Sequence, residues 1–88
     1  MITDDEKNII INCAKKYNVK SILLFGSAAK KNEYNDIDLA VEGIQPKLFF
    51  KFYGELFKHL DKPVDLIDLA FDDLFTEIVK EDGLKIYG

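Results

Sequence analysis

The spacing of apolar residues predicts helices that alternate with strands along the chain. Apolar residues recur every three to four positions over residues 4–17, 46–60 and 72–82, which is the period of an amphipathic helix. Short apolar or alternating runs at 19–25, 36–41 and 64–69 predict strands, and a short helix is expected at 27–31. This order predicts an α+β (mixed α/β) fold, in which helices flank a mixed sheet of three to four strands. We expect residues 1–88 to form one small domain.

The chain contains 7 Phe and 4 Tyr, and not all of these rings need fit in the core of so small a domain. Most are expected to be buried, because they lie on the apolar sides of their helices. The residues predicted to face the core are Leu48, Phe49, Phe52, Tyr53, Leu56, Phe57 and Leu60 on the third helix, and Phe71, Leu74, Phe75, Ile78 and Val79 around the last. Ile11 and Phe50 fall outside these apolar sides and are candidates for contact with a partner.

Charge and cysteine content narrow the classes of protein. The formal net charge of -4 argues against a general nucleic-acid binder, which normally presents a basic surface. The single cysteine, Cys13, excludes an intramolecular disulfide and is suited to a reducing compartment. The sequence shows neither a signal peptide nor an apolar run long enough to span a bilayer, so we expect a cytoplasmic protein without a membrane partner.

Two aspartates lie at the start of the second predicted strand. Because side chains alternate along a strand, Asp36 and Asp38 project to one face with their Cα atoms roughly 6.5–7 Å apart. Ile37 and Leu39 point to the other face, where they can be buried. A divalent cation would relieve the repulsion between the two carboxylates, and Mg²⁺ binds a few carboxylates together with water and substrate phosphate. Asp-x-Asp at a strand start is nevertheless more often only a solvated edge.

A Gly-Ser dipeptide follows the first predicted strand. Gly26 permits a sharp turn or a close approach of the backbone, and Ser27 can cap the short helix, whose free amides can bind an anion. Gly-Ser after a strand is usually only a turn, but together with the aspartate pair it is a more specific signal. The third strand adds Asp65 and Asp68, which face opposite sides, and spacing alone does not say which joins the pair.

These segments resemble the motifs of the DNA-polymerase-beta-like nucleotidyltransferase superfamily, and most closely those of its minimal nucleotidyltransferase (MNT) domains. The matching pieces are Leu24-Phe25-Gly26-Ser27, Asn35-Asp36-Ile37-Asp38-Leu39 and Pro63-Val64-Asp65-Leu66-Ile67-Asp68-Leu69. Further matches after Leu39 extend the resemblance over most of the chain. The resemblance implies a small nucleotidyltransferase fold.

The resemblance also implies a site and a reaction. Asp36, Asp38 and Asp65 would be the catalytic carboxylates and the ligands of two Mg²⁺ ions, which selects Asp65 over Asp68. Gly26 and Ser27 would bind the triphosphate of a nucleoside triphosphate. The implied reaction is in-line attack of an acceptor hydroxyl on the α-phosphate with release of pyrophosphate, and Asp65 would help to deprotonate that hydroxyl.

Minimal domains of this type are paired with a HEPN-domain protein, often as antitoxin and toxin, and the antitoxin transfers AMP from ATP to a tyrosine of the toxin. The resemblance therefore implies a HEPN partner and a hetero-oligomer. Many relatives carry Arg and Gly where this chain has Ala28 and Lys31, and the linker before Asp36 is shorter than usual. An alternative function is therefore a catalytically degenerate module that neutralises its partner by contact alone. A third reading keeps the transferase chemistry with RNA or a small molecule as acceptor.

Overall fold

Four strands and four α-helices follow one another along the chain. The computed structural model describes all 88 residues. The elements are α1 (Asp4–Lys16), β1 (Ser21–Phe25), α2 (Ser27–Lys30), β2 (Ile37–Glu42), a 3-10 turn (Pro46–Leu48) that leads into α3 (Phe49–His59), β3 (Val64–Asp68), α4 (Leu74–Asp82) and β4 (Leu84–Tyr87). Residues 84–87, outside the three segments predicted as strands, form the fourth strand.

The four strands form one mixed sheet in the order β3-β2-β1-β4. β1 is antiparallel to both β2 and β4, whereas β2 and β3 are parallel. The predicted α+β class with a mixed sheet flanked by helices is confirmed. The two parallel strands place their first residues at the same end of the sheet, next to the last residue of β1.

The main core lies on the face of the sheet that α1 and α3 cover. Alternate residues of the strands are fully buried there, as the period of a strand requires. Ile37 and Leu39 of β2 are at 0% exposure, and Phe52 and Leu56 of α3 pack in the same cluster. Burial of each such side chain stabilises the fold by about 1.5–3 kcal/mol. The neighbouring residues of the same strands must therefore point to the opposite face.

Local sequence signals set the ends of α1. The sequence Thr3-Asp4-Asp5-Glu6 predicts a capping box, and the structure forms it. The Thr3 hydroxyl accepts from the Glu6 amide at 3.1 Å, while the Glu6 carboxylate accepts from the Thr3 amide at 2.9 Å. Tyr17 caps the other end, and Asn18 then takes a positive φ of 56° that turns the chain into β1.

The prediction that the last helix buries its apolar residues is wrong for all but one of them. Val79 is buried, but the exposed fractions of the others are 70% for Phe71, 73% for Leu74, 52% for Phe75 and 48% for Ile78. The reason is that α4 lies over a narrow patch of the second sheet face, made by Leu23, Ala40 and Leu69, which covers only one seam of the helix. Phe57 of α3, also predicted to be buried, is 59% exposed.

Phe50 is 80% exposed, as its position off the apolar side of α3 predicted. No helix of the chain is both long and apolar enough to cross a bilayer.

Candidate active site

Two carboxylates meet where the parallel strands begin. Asp38 and Asp65 are direct partners in the β2–β3 register, and residues paired in this way project to the same face. Buried Ile37 and Leu39 anchor β2 on the opposite face and so fix the direction of Asp38. Asp38 is half-buried and Asp65 is exposed. The arrangement is an anionic pair at the open end of the sheet.

Gly26 lies directly against this pair. Its predecessor Phe25 is the register partner of Asp38 across β1 and β2. Gly26 has φ 71° and ψ -154°, a region that is essentially restricted to glycine. A Cβ atom at this position would lie 2.2 Å from Oδ2 of Asp38. Glycine is therefore required twice, by the backbone conformation and by the closeness of the carboxylate.

Asp36 lies one residue before β2 and is exposed to solvent. It contributes to the electrostatics of the pair. The pKa of Asp38 is raised, first by burial, then by the negative charges of Asp65 and Asp36, and by a hydrogen bond that only its protonated form can donate to Asp65. The ionised form of Asp38 is thus held at a cost in free energy.

Asp68 points away from the pair. Its register partner is Val41, a core residue, and its Oδ1 accepts a hydrogen bond from the Ala70 amide at 2.9 Å. Of the two aspartates that spacing left open, Asp65 is the one that lies beside Asp38.

The donor set is compatible with a hard cation such as Mg²⁺. No group of three or more His, Cys, Asp or Glu side chains is arranged as a complete metal cage. Mg²⁺ usually binds through one or two protein carboxylates and completes its shell with water and substrate phosphate, so the Asp38–Asp65 pair satisfies the protein's share. A cation there would also offset the repulsion from Asp65 and Asp36, which adds to the effect of burial in raising the pKa of Asp38.

The start of α2 lies next to the two carboxylates. Gly26 occupies the cap position and Ser27 is the first helical residue, without a side-chain cap bond, so the expectation that Ser27 caps this helix is wrong. Both residues are exposed beside the carboxylates. Ala28 is fully buried in the main core, where an arginine would not fit. Lys31 is exposed.

A comparison with family models decides the class of the chain. The model of the polymerase beta nucleotidyltransferase domain matches residues 7–88. The chain belongs to this nucleotidyltransferase family. The predicted resemblance to the polymerase-beta-like nucleotidyltransferases is thereby confirmed, and transfer of a nucleotidyl group is the activity of the class.

Solved structures similar to this nucleotidyltransferase include antitoxin complexes. A toxin–antitoxin structure with AMP-PNP is 27% identical, covering 93% of this chain and 73% of that chain, with a TM-score of 0.78. The toxin–antitoxin MntA-HepT is 26% identical, covering 94% and 70%, with a TM-score of 0.73. A tri-AMPylated HEPN toxin with MNT antitoxin, from Shewanella oneidensis, is 28% identical, covering 94% and 70%, with a TM-score of 0.74. No curated protein matches the chain.

One cluster of polar side chains near the site of this nucleotidyltransferase was not predicted from the sequence. The Glu6 carboxylate, predicted only as part of the capping box, also accepts hydrogen bonds from the Tyr34 hydroxyl and from Lys62 Nζ, the latter at 3.2 Å. Burial acts to raise the pKa of Glu6, but the hydrogen bonds from Tyr34, Thr3 and Lys62 outweigh it, and the pKa is lowered. The only sequence signal was an aromatic residue, Tyr34, within an otherwise polar linker.

Proposed function

We propose that this chain transfers AMP from ATP, with Mg²⁺, to a HEPN-domain partner protein and acts as the antitoxin of that pair. The observation that carries the proposal is the Asp38–Asp65 pair with Gly26 against it. Family membership gives the reaction class, and solved relatives are complexes with AMP-PNP and with an AMPylated HEPN toxin. The catalytic residues would be Asp36, Asp38 and Asp65, and Gly26 and Ser27 would bind the triphosphate.

The proposed chemistry is a single in-line displacement. An acceptor hydroxyl oxygen forms a bond to the α-phosphorus of ATP, and the bond from that phosphorus to pyrophosphate breaks. Asp65 is exposed next to Asp38, so it can accept the proton of the incoming hydroxyl. The Ser27 amide at the start of α2 has no partner within the helix and can donate to a phosphate oxygen beside Gly26, whereas the Ala29 amide already donates to the Gly26 carbonyl.

Asp36, Asp38 and Asp65 would hold Mg²⁺, which supplies charge neutralisation at the phosphate oxygens and at the attacking and leaving groups. Half-buried Asp38 would be the central ligand, because it is the carboxylate that burial and both neighbouring charges act upon. Exposed Asp36 is free of packing constraints and can turn toward the same ion.

The acceptor would come from another chain. The site lies at the open end of the sheet, and Asp65 and Ser27 both face solvent there. The single buried thiol, Cys13, is suited to the reducing cytoplasm, which is where we propose that the pair acts.

Intact-mass spectrometry of the HEPN partner tests this proposal. We expect the partner to gain the mass of AMP after incubation with the chain, ATP and Mg²⁺, and to gain none with Asp38→Asn or when Mg²⁺ is chelated. The matched assay is neutralisation of the toxin in cells. If the partner gains no AMP and Asp38→Asn still neutralises the toxin, the chain acts by contact alone and the enzymatic proposal is refuted.

A further inference from the structure

The outer side of α4 is an exposed apolar surface. Leu74, Phe75 and Ile78 lie on one side of α4, and Phe71 lies in the bend three residues before Leu74; these four residues, here named the α4 stripe, are 48–73% exposed. Only Thr76 and Val79 of this helix are buried against the sheet. Most of the apolar area of α4 therefore faces solvent, which is the usual mark of an interaction surface.

Phe71 and Phe75 of the stripe, with Asp73 and Thr76, form one wall of a groove of about 430 Å³, whereas Leu74 and Ile78 lie outside it. Pro46, Phe49 and Phe50 at the start of α3 form the opposite wall, and Leu66 and Ile67 of the edge strand β3 form the floor. Two apolar walls that flank a sheet edge suit an amphipathic helix, which inserts side chains spaced along one of its sides.

The stripe is continuous with the candidate active site. The ring of Phe75 packs edge-on against Phe25, with 5.9 Å between centroids and 78° between planes. Phe25 is the register partner of Asp38 and immediately precedes Gly26. A protein bound along the stripe therefore lies one side chain away from the carboxylates.

Charge around the stripe defines the chemistry of its partner. Residues 71–82 carry five carboxylates and one lysine, all of them exposed. Positive and negative side chains are equal in number in the rest of the chain, so this segment accounts for the whole net charge of -4. Glu81 and Asp82 lie in the last turn of α4, where negative charge is unfavourable because of the helix dipole. A second copy of this chain would bring like charge to the stripe, whereas a basic partner would be attracted.

We propose that the α4 stripe and its groove bind an apolar helix with basic flanks on the acceptor protein, and so hold the acceptor hydroxyl at the Asp38–Asp65 pair. This inference rests on the proposed function, because it names the surface that recognises the same protein partner. Steering by opposite charge would speed association and fix the register of the complex.

The test compares Phe71→Gln, in the groove, and Leu74→Gln, on the stripe beside it, with the control Phe57→Gln, an exposed position of α3 outside both. Calorimetry would measure affinity for the HEPN partner at low and high salt and, separately, for AMP-PNP with Mg²⁺. We expect each stripe variant to weaken partner binding about tenfold or more, while AMP-PNP affinity and the control stay at the wild-type value. Glu81→Lys with Asp82→Lys should weaken partner binding while raising Tm, because the helix end then carries the favourable charge.

Any of three results would overturn the inference. The first is unchanged partner affinity in all stripe and charge variants, and the second is a parallel loss of AMP-PNP affinity, which would make the stripe part of the nucleotide site. The third is a wild-type dimer in sedimentation that the variants abolish. Failure of the proposed function is seen separately. If the wild type binds the partner without transferring AMP, the reaction is wrong and the binding comparison still tests the stripe. If the stripe variants bind and transfer like the wild type, only the stripe is wrong.

Discussion

The hydroxyl of Tyr34 donates a hydrogen bond to the carboxylate of Glu6, which ties the linker before β2 to the first turn of α1. Lys62 binds the other oxygen of the same carboxylate and lies 4.8 Å from the centre of the Tyr34 ring. Tyr34 comes shortly before Asp36, and Lys62 comes shortly before Asp65. The buried Glu6 carboxylate therefore anchors the segments that lead into β2 and β3, the strands associated with the proposed catalytic aspartates.

Tyr34→Phe should loosen this connection. The variant removes a donor from a buried carboxylate, so we expect unfolding in urea to show a loss of about 1–2 kcal/mol. AMP transfer should fall severalfold through kcat, because Asp36 is less firmly placed. Tyr87→Phe, in the far edge strand β4, is the control and should change neither quantity. Wild-type stability in Tyr34→Phe would show that the linker needs no such anchor.

The same tyrosine should give the fold a dependence on alkaline pH. Burial and the hydrogen bond to Glu6 raise the pKa of Tyr34 from 10.0 to about 12. A raised pKa contributes stability that is fully present below the unfolded value and is lost as pH rises through the folded value. The stability difference between wild type and Tyr34→Phe should thus shrink between pH 10 and about 12. Urea titrations across this range measure it, and a constant difference would contradict the assignment.

Asp38→Asn should stabilise the free protein while abolishing its activity. The pKa of Asp38 is raised above 3.8, so its contribution to stability is lost as pH rises from that value through the folded pKa. Asn carries no charge to lose, so Tm at neutral pH should be higher in the variant. AMP transfer should fall roughly a hundredfold or more.

Divalent cations supply the complementary readout for Asp38. Mn²⁺ or Mg²⁺ should raise the Tm of the wild type and leave that of Asp38→Asn unchanged, because ligand binding stabilises only the state that binds. Equal cation effects on both proteins would place the metal elsewhere.

Gly26→Ala should damage both fold and site. The added Cβ would collide with Oδ2 of Asp38, and the backbone at φ 71° is strained for any side chain, so we expect a loss of about 1–3 kcal/mol and weaker AMP-PNP binding. Gly54→Ala is the matched control. Gly54 lies within α3 with open space around it, and the same change there should stabilise by about 0.5–1 kcal/mol. Circular dichroism melts and calorimetry measure both effects.

Asp65→Asn and Asp68→Asn separate the two aspartates of β3. Asp65→Asn should reduce AMP transfer roughly a hundredfold or more, because the group beside Asp38 can then neither accept a proton nor bind a cation well. Asp68→Asn should keep near-wild-type transfer, since the amide oxygen can still accept from Ala70 on the other face. The mass shift of the partner measures transfer, and the reverse ranking would exclude Asp65 as the third carboxylate.

The strands and the direction of the aspartates followed from the sequence because they depend on a local period. Ile37 and Leu39 can be buried only if Asp38 points away from them, whatever the rest of the chain does. The capping box at Thr3 is equally local and was predicted in full. The pairing of β3 with β2 depends on the whole fold rather than on a local pattern. Spacing alone therefore could not say whether Asp65 or Asp68 lies beside Asp38.

The features that were missed depend on distant contacts. Tyr34 and Lys62 lie 28 and 56 residues from Glu6, so no window of the sequence brings the three together. The spacing of Leu74, Phe75 and Ile78 correctly indicated one apolar side of α4, although Phe71 lies before the helix. It could not indicate that the sheet would cover a different side, because that depends on how α4 crosses Leu23, Ala40 and Leu69.

β3 is an edge strand, and this has a consequence for amide hydrogen exchange. Within the sheet β3 pairs with β2 alone, so detachment of this one short strand, with loss of the core contacts of Val64 and Leu66, separates Asp65 from Asp38 while the pairing of β2 with β1 is kept. Such a local opening needs less free energy than global unfolding. The amides of β3 should therefore exchange faster than those of β2, and their protection measures the fraction of molecules in which the two carboxylates are together.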